Sequence, residues 1–84
     1  MTATDFNIKY NDYLKKGHYG LDIDEPNVVK WLDEVFQDLI HIPGFKYSQI
    51  KTKFNSVRFY STLTSGLDSA IESHIKNILD FSTK

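Results

Sequence analysis

Lys46, Lys51, Lys53 and Arg58 are interleaved with Phe45, Tyr47, Phe54, Phe59 and Tyr60 across residues 45–60, and no carboxylate interrupts them. Cations among aromatic rings suit the binding of anions: the ammonium or guanidinium supplies charge while the ring stacks on a base or fills an apolar recess. The segment therefore describes a surface that could grip a phosphate backbone, a base face or an acidic protein. No other group of residues makes an equally directed chemical statement. His18, His41 and His74 each have a carboxylate nearby in sequence, namely Asp22, Asp38 and Glu72, but the spacings match no catalytic arrangement. His74 falls on an apolar helical stripe and is expected to be a hydrogen-bonded boundary residue; His41 falls at a helix C-terminus, where the dipole favours imidazolium.

Asp22, Asp24 and Glu25 carry the oxygen ligands a hard cation prefers, yet no EF-hand spacing follows, so they read as a capping, solvated turn. The serines include no Gly-x-Ser-x-Gly elbow, the four glycines form no phosphate-cradling loop, and cysteine is absent. No catalytic residue, metal site or cofactor is assigned, and the chain is expected not to be an enzyme. Candidate binding residues are Lys46, Tyr47, Lys51, Lys53, Arg58 and Tyr60, with Tyr47 or Tyr60 as the stacking plate. The alternative for Arg58 and Tyr60 is an ordinary packing contact across a strand pair.

Charge is segregated far beyond what the net value of -1 conveys. Residues 22–38 hold six carboxylates against Lys30, a net of -5, whereas residues 45–60 sum to +4. Two such patches can steer a charged partner, neutralise each other within the fold, or meet in a homodimer.

The elements that must position these groups follow from periodicity and punctuation. Thr4 is placed to cap a helix over 4–16 carrying Phe6, Ile8, Tyr10, Tyr13 and Leu14, ended by Gly17. A linker through Gly20 leads to Asp24 as N-cap, with Glu25 and Pro26 in the first turn of a helix over 25–41. Val28, Trp31, Leu32, Val35, Phe36 and Leu39 recur there at helical steps until Pro43 and Gly44. Beyond them the period changes to two, which predicts a hairpin over 46–62 turning near residues 53–56, with Asn55 supplying positive φ. Val57 and Phe59 then face a core and Arg58 and Tyr60 face outward. A last amphipathic helix is expected over 66–81, capped by Thr64 or Ser65.

The fold class predicted is thus α+β: one small domain over 1–84, ααββα, with helices on one face of a hairpin or small sheet. Its expected core is Trp31, Leu32, Val35, Phe36, Leu39, Ile50, Val57, Phe59, Ile71, Ile75 and Ile78. Eighty-four residues with 40% hydrophobic content suffice for one modest core. Lack of cysteine suits a reducing compartment, and neither a signal-peptide core nor a membrane-length apolar run is present, so the cytoplasm is expected and no membrane partner is.

Gln49, Ile50, Lys51, Lys53, Phe54, Asn55, Val57, Arg58, Phe59 and Tyr60 together resemble a pattern found in small bacterial and bacteriophage proteins, Gln-Ile-Lys-x-Lys-Phe, then Gly or Asn, then Leu or Val before Arg-Phe-Tyr. In many such proteins an amphipathic helix follows and leads to a cysteine pair that looks metal-binding; this chain has no cysteine, so a zinc role does not carry over. The resemblance covers about a third of the chain. It implies a bacterial or phage accessory protein, in the host cytoplasm if phage-encoded, with no activity to transfer. The expected function is a protein-binding module, in one form an inhibitor of a host or defence protein; the alternative is nucleic-acid binding by the same face.

Overall fold

Helix α2 (Pro26–Leu39) is the centre of the fold. Pro26 opens it with the backbone angle a helix needs, and the Glu25 carboxylate accepts a hydrogen bond from the Val28 amide at 3.0 Å. The expected cap, Asp24, instead accepts from the Ala3 amide at 3.0 Å, tying the start of the first helix to the start of the second. The computed structural model describes residues 1–79, and the remaining elements are α1 (Ala3–Lys9), a short 3-10 turn (Asn11–Tyr13), β1 (Gly20–Leu21), β2 (Tyr47–Lys53), β3 (Ser56–Ser61) and α3 (Ser65–Leu79). The result is a small mixed α+β domain. The end of the predicted last helix, residues 80 and 81, lies outside the described residues.

Three boundaries depart from expectation for identifiable reasons. Thr2, not Thr4, caps α1: its hydroxyl accepts from the Asp5 amide and the Asp5 carboxylate accepts from the Thr2 amide, a reciprocal capping box. That helix stops at Lys9 rather than near residue 16, because Tyr10 turns into the core and Leu14 is drawn out to bridge Tyr47. The second helix ends at Leu39, two residues short of His41.

The sheet has three strands in the order β1-β2-β3, with β1 parallel to β2 and β3 antiparallel to it. Expectation made residues 18–23 a linker; the structure corrects this, since Gly20 and Leu21 pair with Gln49 and Ile50 and α2 serves as the crossover that parallel pairing requires. Gly20 has φ +77, and a β-carbon there would overlap the Asn7 side chain, so glycine is required on both counts.

Both sheet edges are closed by helix side chains. Asn7 of α1 accepts from the Leu21 amide at 2.8 Å and donates to the Leu21 carbonyl at 3.0 Å, standing in for a further strand. On the other side Glu72 of α3 accepts from the Phe59 amide at 2.8 Å, and Asp68 accepts from the Ser61 hydroxyl at 2.7 Å. These bonds occupy backbone groups that an open edge would offer to another chain.

The core is richer in aromatics than periodicity suggested. Phe36 lies 4.8 Å from Phe6, 5.0 Å from Tyr10, 5.1 Å from Tyr47 and 5.4 Å from Phe45, ring centre to ring centre, mostly edge to face. Leu32, Phe36, Ile50, Val57, Phe59, Ile71 and Ile75 are buried as expected, whereas Trp31, Val35, Leu39 and Ile78 are only half-buried. Trp31 instead stacks on His74 at 4.1 Å, joining α2 to α3.

Candidate functional site

The hairpin presents its outer face through three cross-strand pairs: Gln49 opposite Tyr60, Lys51 opposite Arg58, and Lys53 opposite Ser56. Ile50 gives its carbonyl to the Asp22 amide and Phe59 gives its amide to Glu72, so that pair is not hydrogen-bonded across the hairpin. Lys51 and Arg58 therefore form the hydrogen-bonded pair, with α-carbons about 5.5 Å apart and both cationic side chains on the same surface. Arg58, Lys53 and Tyr60 are exposed and Lys51 is half-exposed. Four of the six expected binding residues are thus assembled on one open face.

The other two are elsewhere. Tyr47 is fully buried and its hydroxyl donates to Asn7 Oδ1 at 3.0 Å, so it is a core residue and not a stacking plate. The cause is a bulge between Tyr47 and Gln49: Ser48 is the extra residue, and it reverses the side-chain alternation so that Tyr47 and Ile50 both point inward. Desolvation pushes the Tyr47 phenol up to about 12. Lys46 is exposed but precedes the strand, and its Nζ donates to the Asp12 carbonyl at 2.6 Å, which holds it against the 3-10 turn.

The tip of the hairpin carries what sequence reasoning missed. Phe54 occupies the first position of the two-residue turn with φ +56, and it is the only non-glycine with positive φ among the described residues. Expectation placed the turn near residues 53–56 and assigned the positive φ to Asn55; the structure gives it to Phe54 and leaves its ring 91% exposed. A bulky residue in left-handed backbone costs roughly 1–2 kcal/mol. Around the edge of β3 the basic surface continues into a cleft of about 170 Å³ lined by Ser56, Val57, Arg58, Glu72, Ser73 and Lys76. Lys76 carried no sequence signal, since only the docking of α3 brings it beside Arg58.

No ion pair joins the acidic segment to this surface among the described residues. Among the described residues the ion pair present joins Lys9 to Asp33 at 2.7 Å, between α1 and α2, and none of Lys46, Lys51, Lys53 or Arg58 pairs with a carboxylate. Asp33 also accepts from the Tyr10 hydroxyl at 2.6 Å, and Gln37 donates to that hydroxyl at 2.7 Å. Burial works to raise the Asp33 carboxyl, but its hydrogen bonds from Lys9 and Tyr10 prevail and hold it below the usual range. Asp22 is the acid nearest in register to Lys51, one residue beyond the Leu21–Ile50 pair, and it too makes no ion pair among the described residues. His18 and His41 are exposed, and no cluster of three metal-ligating side chains occurs among the described residues. Nor is any described helix long and apolar enough to cross a membrane. No protein-family model, curated protein or solved structure matches the chain.

Proposed function

We propose that the chain is a small non-enzymatic docking module that binds an acidic protein partner through the outer face of its β2–β3 hairpin. Lys51, Lys53 and Arg58 supply charge, and Tyr60 supplies contact area. The observation carrying this reading is the Lys51–Arg58 pair, two cations directly opposed with no ion-paired carboxylate among the described residues. Opposite charges in those positions would contribute about 0.2–1 kcal/mol to the fold and like charges detract by a similar amount, so an anionic partner relieves a cost that the isolated domain carries. The likeness of residues 49–60 to bacterial and phage sequences fits a cytoplasmic accessory protein, with inhibition of a host or defence protein as one form. A second reading, single-stranded nucleic acid, is favoured by one feature: the exposed Tyr60 ring beside these cations suits a stacked base. The pI of about 6.2 argues against the broad basic footprint such a domain needs.

The test is a Lys51→Glu, Lys53→Glu double variant, assayed for melting temperature and for proteins retained from nuclease-treated extract of the cells that make it. The fold is expected to survive while the retained proteins are lost. Collapse of folding with retention unchanged would assign the patch to stability. Binding that disappears with nuclease and falls steeply with salt would transfer the function to nucleic acid.

A further inference from the structure

We infer that Phe54 is the anchor of this surface: its ring enters an apolar pocket bordered by carboxylates on the protein partner, and the hairpin tip is shaped for that contact at the expense of the fold. The inference rests on the docking reading above and adds the side chain that dominates it and the kind of pocket that receives it.

Two independent features meet at this residue. Its backbone has φ +56 at the first turn position while Asn55 stays out of that region, a pattern whose first position glycine normally takes. Its ring is the most exposed large apolar side chain among the described residues, so burial within the chain offsets none of that strain. A turn optimised for folding alone would place glycine or asparagine there. When a residue breaks a conformational rule and a burial rule at once with no compensation inside the molecule, the compensation is sought outside it.

The neighbours define the partner's chemistry. A phenyl ring has no polar handle and asks for an apolar floor. Lys53 adjoins it in the chain, and Lys51 and Arg58 follow on the outer face of the two strands that carry it, with no ion-paired carboxylate among the described residues. The complementary rim is therefore anionic. A central aromatic in a pocket, surrounded by polar contacts that exclude water, is the arrangement that concentrates binding energy. The hydrogen-bonded hairpin fixes the backbone that carries the ring, which lowers the entropy lost on docking.

The experiment places the photo-crosslinker benzoylphenylalanine at position 54 in the cells that make the protein, with position 19 as control. Tyr19 is 82% exposed and lies next to β1, on the other side of the sheet. The cross-linked protein is identified by mass spectrometry and purified, and its affinity for wild type, Phe54→Gly and Phe54→Asn is measured by calorimetry beside their melting temperatures. Labelled dT12 and phosphatidylserine vesicles are tested in parallel. We expect an adduct from position 54 and not 19, at an apolar site flanked by Asp or Glu. Both variants should melt roughly 4–8 °C higher and bind about 30-fold more weakly. A lower melting temperature in both variants, absence of a position-specific adduct, or binding of dT12 or vesicles in place of a protein overturns the inference. If affinity survives both Phe54 variants but is lost in Lys51→Glu, Lys53→Glu, the anchor fails and the docking surface stands; if none of these variants alters affinity, both fail.

Discussion

Replacing Asn7 by alanine removes three hydrogen bonds at a single stroke: those to the Leu21 amide and carbonyl, and the one accepted from the Tyr47 hydroxyl. Leu21 is 3% exposed and Tyr47 fully buried, so their polar groups cannot simply turn to bulk water. Each buried group left unpaired costs about 1–3 kcal/mol. The open depression beside Asn7, lined also by Thr4, Ile8, Asn11 and Leu14, admits water to part of the vacated space and sets the expectation at the lower end of the sum, about 3 kcal/mol. For a domain of this length, whose whole stability is roughly 4–13 kcal/mol, that is a large fraction. Urea denaturation followed by Trp31 fluorescence measures it, because Trp31 is the single tryptophan and packs between α2 and α3. Tyr47→Phe should cost about 1 kcal/mol, and the double variant should cost less than the sum, with a coupling of about 1 kcal/mol from the shared bond. A loss below about 1 kcal/mol for Asn7→Ala, or strict additivity with Tyr47→Phe, refutes the role assigned to the amide as a surrogate strand.

Phe36→Ala should destabilise by about 3–5 kcal/mol in the same assay, since the ring touches Phe6, Tyr10, Phe45 and Tyr47 and leaves a cavity among them. Alkali should unfold the protein: Tyr47 rises from 10.0 to about 12 through burial, so its stabilisation is complete below pH 10 and about 3 kcal/mol is lost as pH climbs through that interval. Tyr10 is raised by burial and by its bond to Asp33 and acts in the same direction, so Tyr47→Phe should flatten only part of the alkaline fall in melting temperature. At the acid end Asp33 is held below 3.8, so its contribution persists above that value and vanishes as pH falls through the depressed one; Asp33→Asn should remove that part of the acid transition. Glu72→Ala frees the Phe59 amide on the edge of β3 and should cost about 1–2 kcal/mol while promoting concentration-dependent association, read by sedimentation.

Sequence and structure agree most closely where local rules decide the outcome. Pro26 at a helix start, the apolar steps through Leu32 and Phe36, and the alternation from Ile50 to Phe59 all depend on neighbours within a few residues. The outer face follows from the same alternation, which is why Lys51, Lys53, Arg58 and Tyr60 are legible in the sequence. Tyr47 was misplaced because one extra residue, Ser48, inverts the alternation, and nothing in the local sequence distinguishes a bulge from a regular strand.

What tertiary structure alone decided is the set of long-range pairings. β1 is two residues long and exists because Asn7 on one side and β2 on the other satisfy its backbone; neither partner is near it in sequence. Phe6, Tyr10 and Phe45 enter the core because α1, the segment before β2 and Phe36 converge, a matter of packing that helical periodicity in α1 could not specify. The exposure of Phe54 follows from where the two-residue turn falls, which is set by the register of Lys53 with Ser56. The sequence by itself determined the α+β class and a carboxylate-free hairpin surface, since composition and period are local properties. The sheet edges, the aromatic core and the projecting ring were left to tertiary structure, because they depend on contacts between segments that local propensity does not encode.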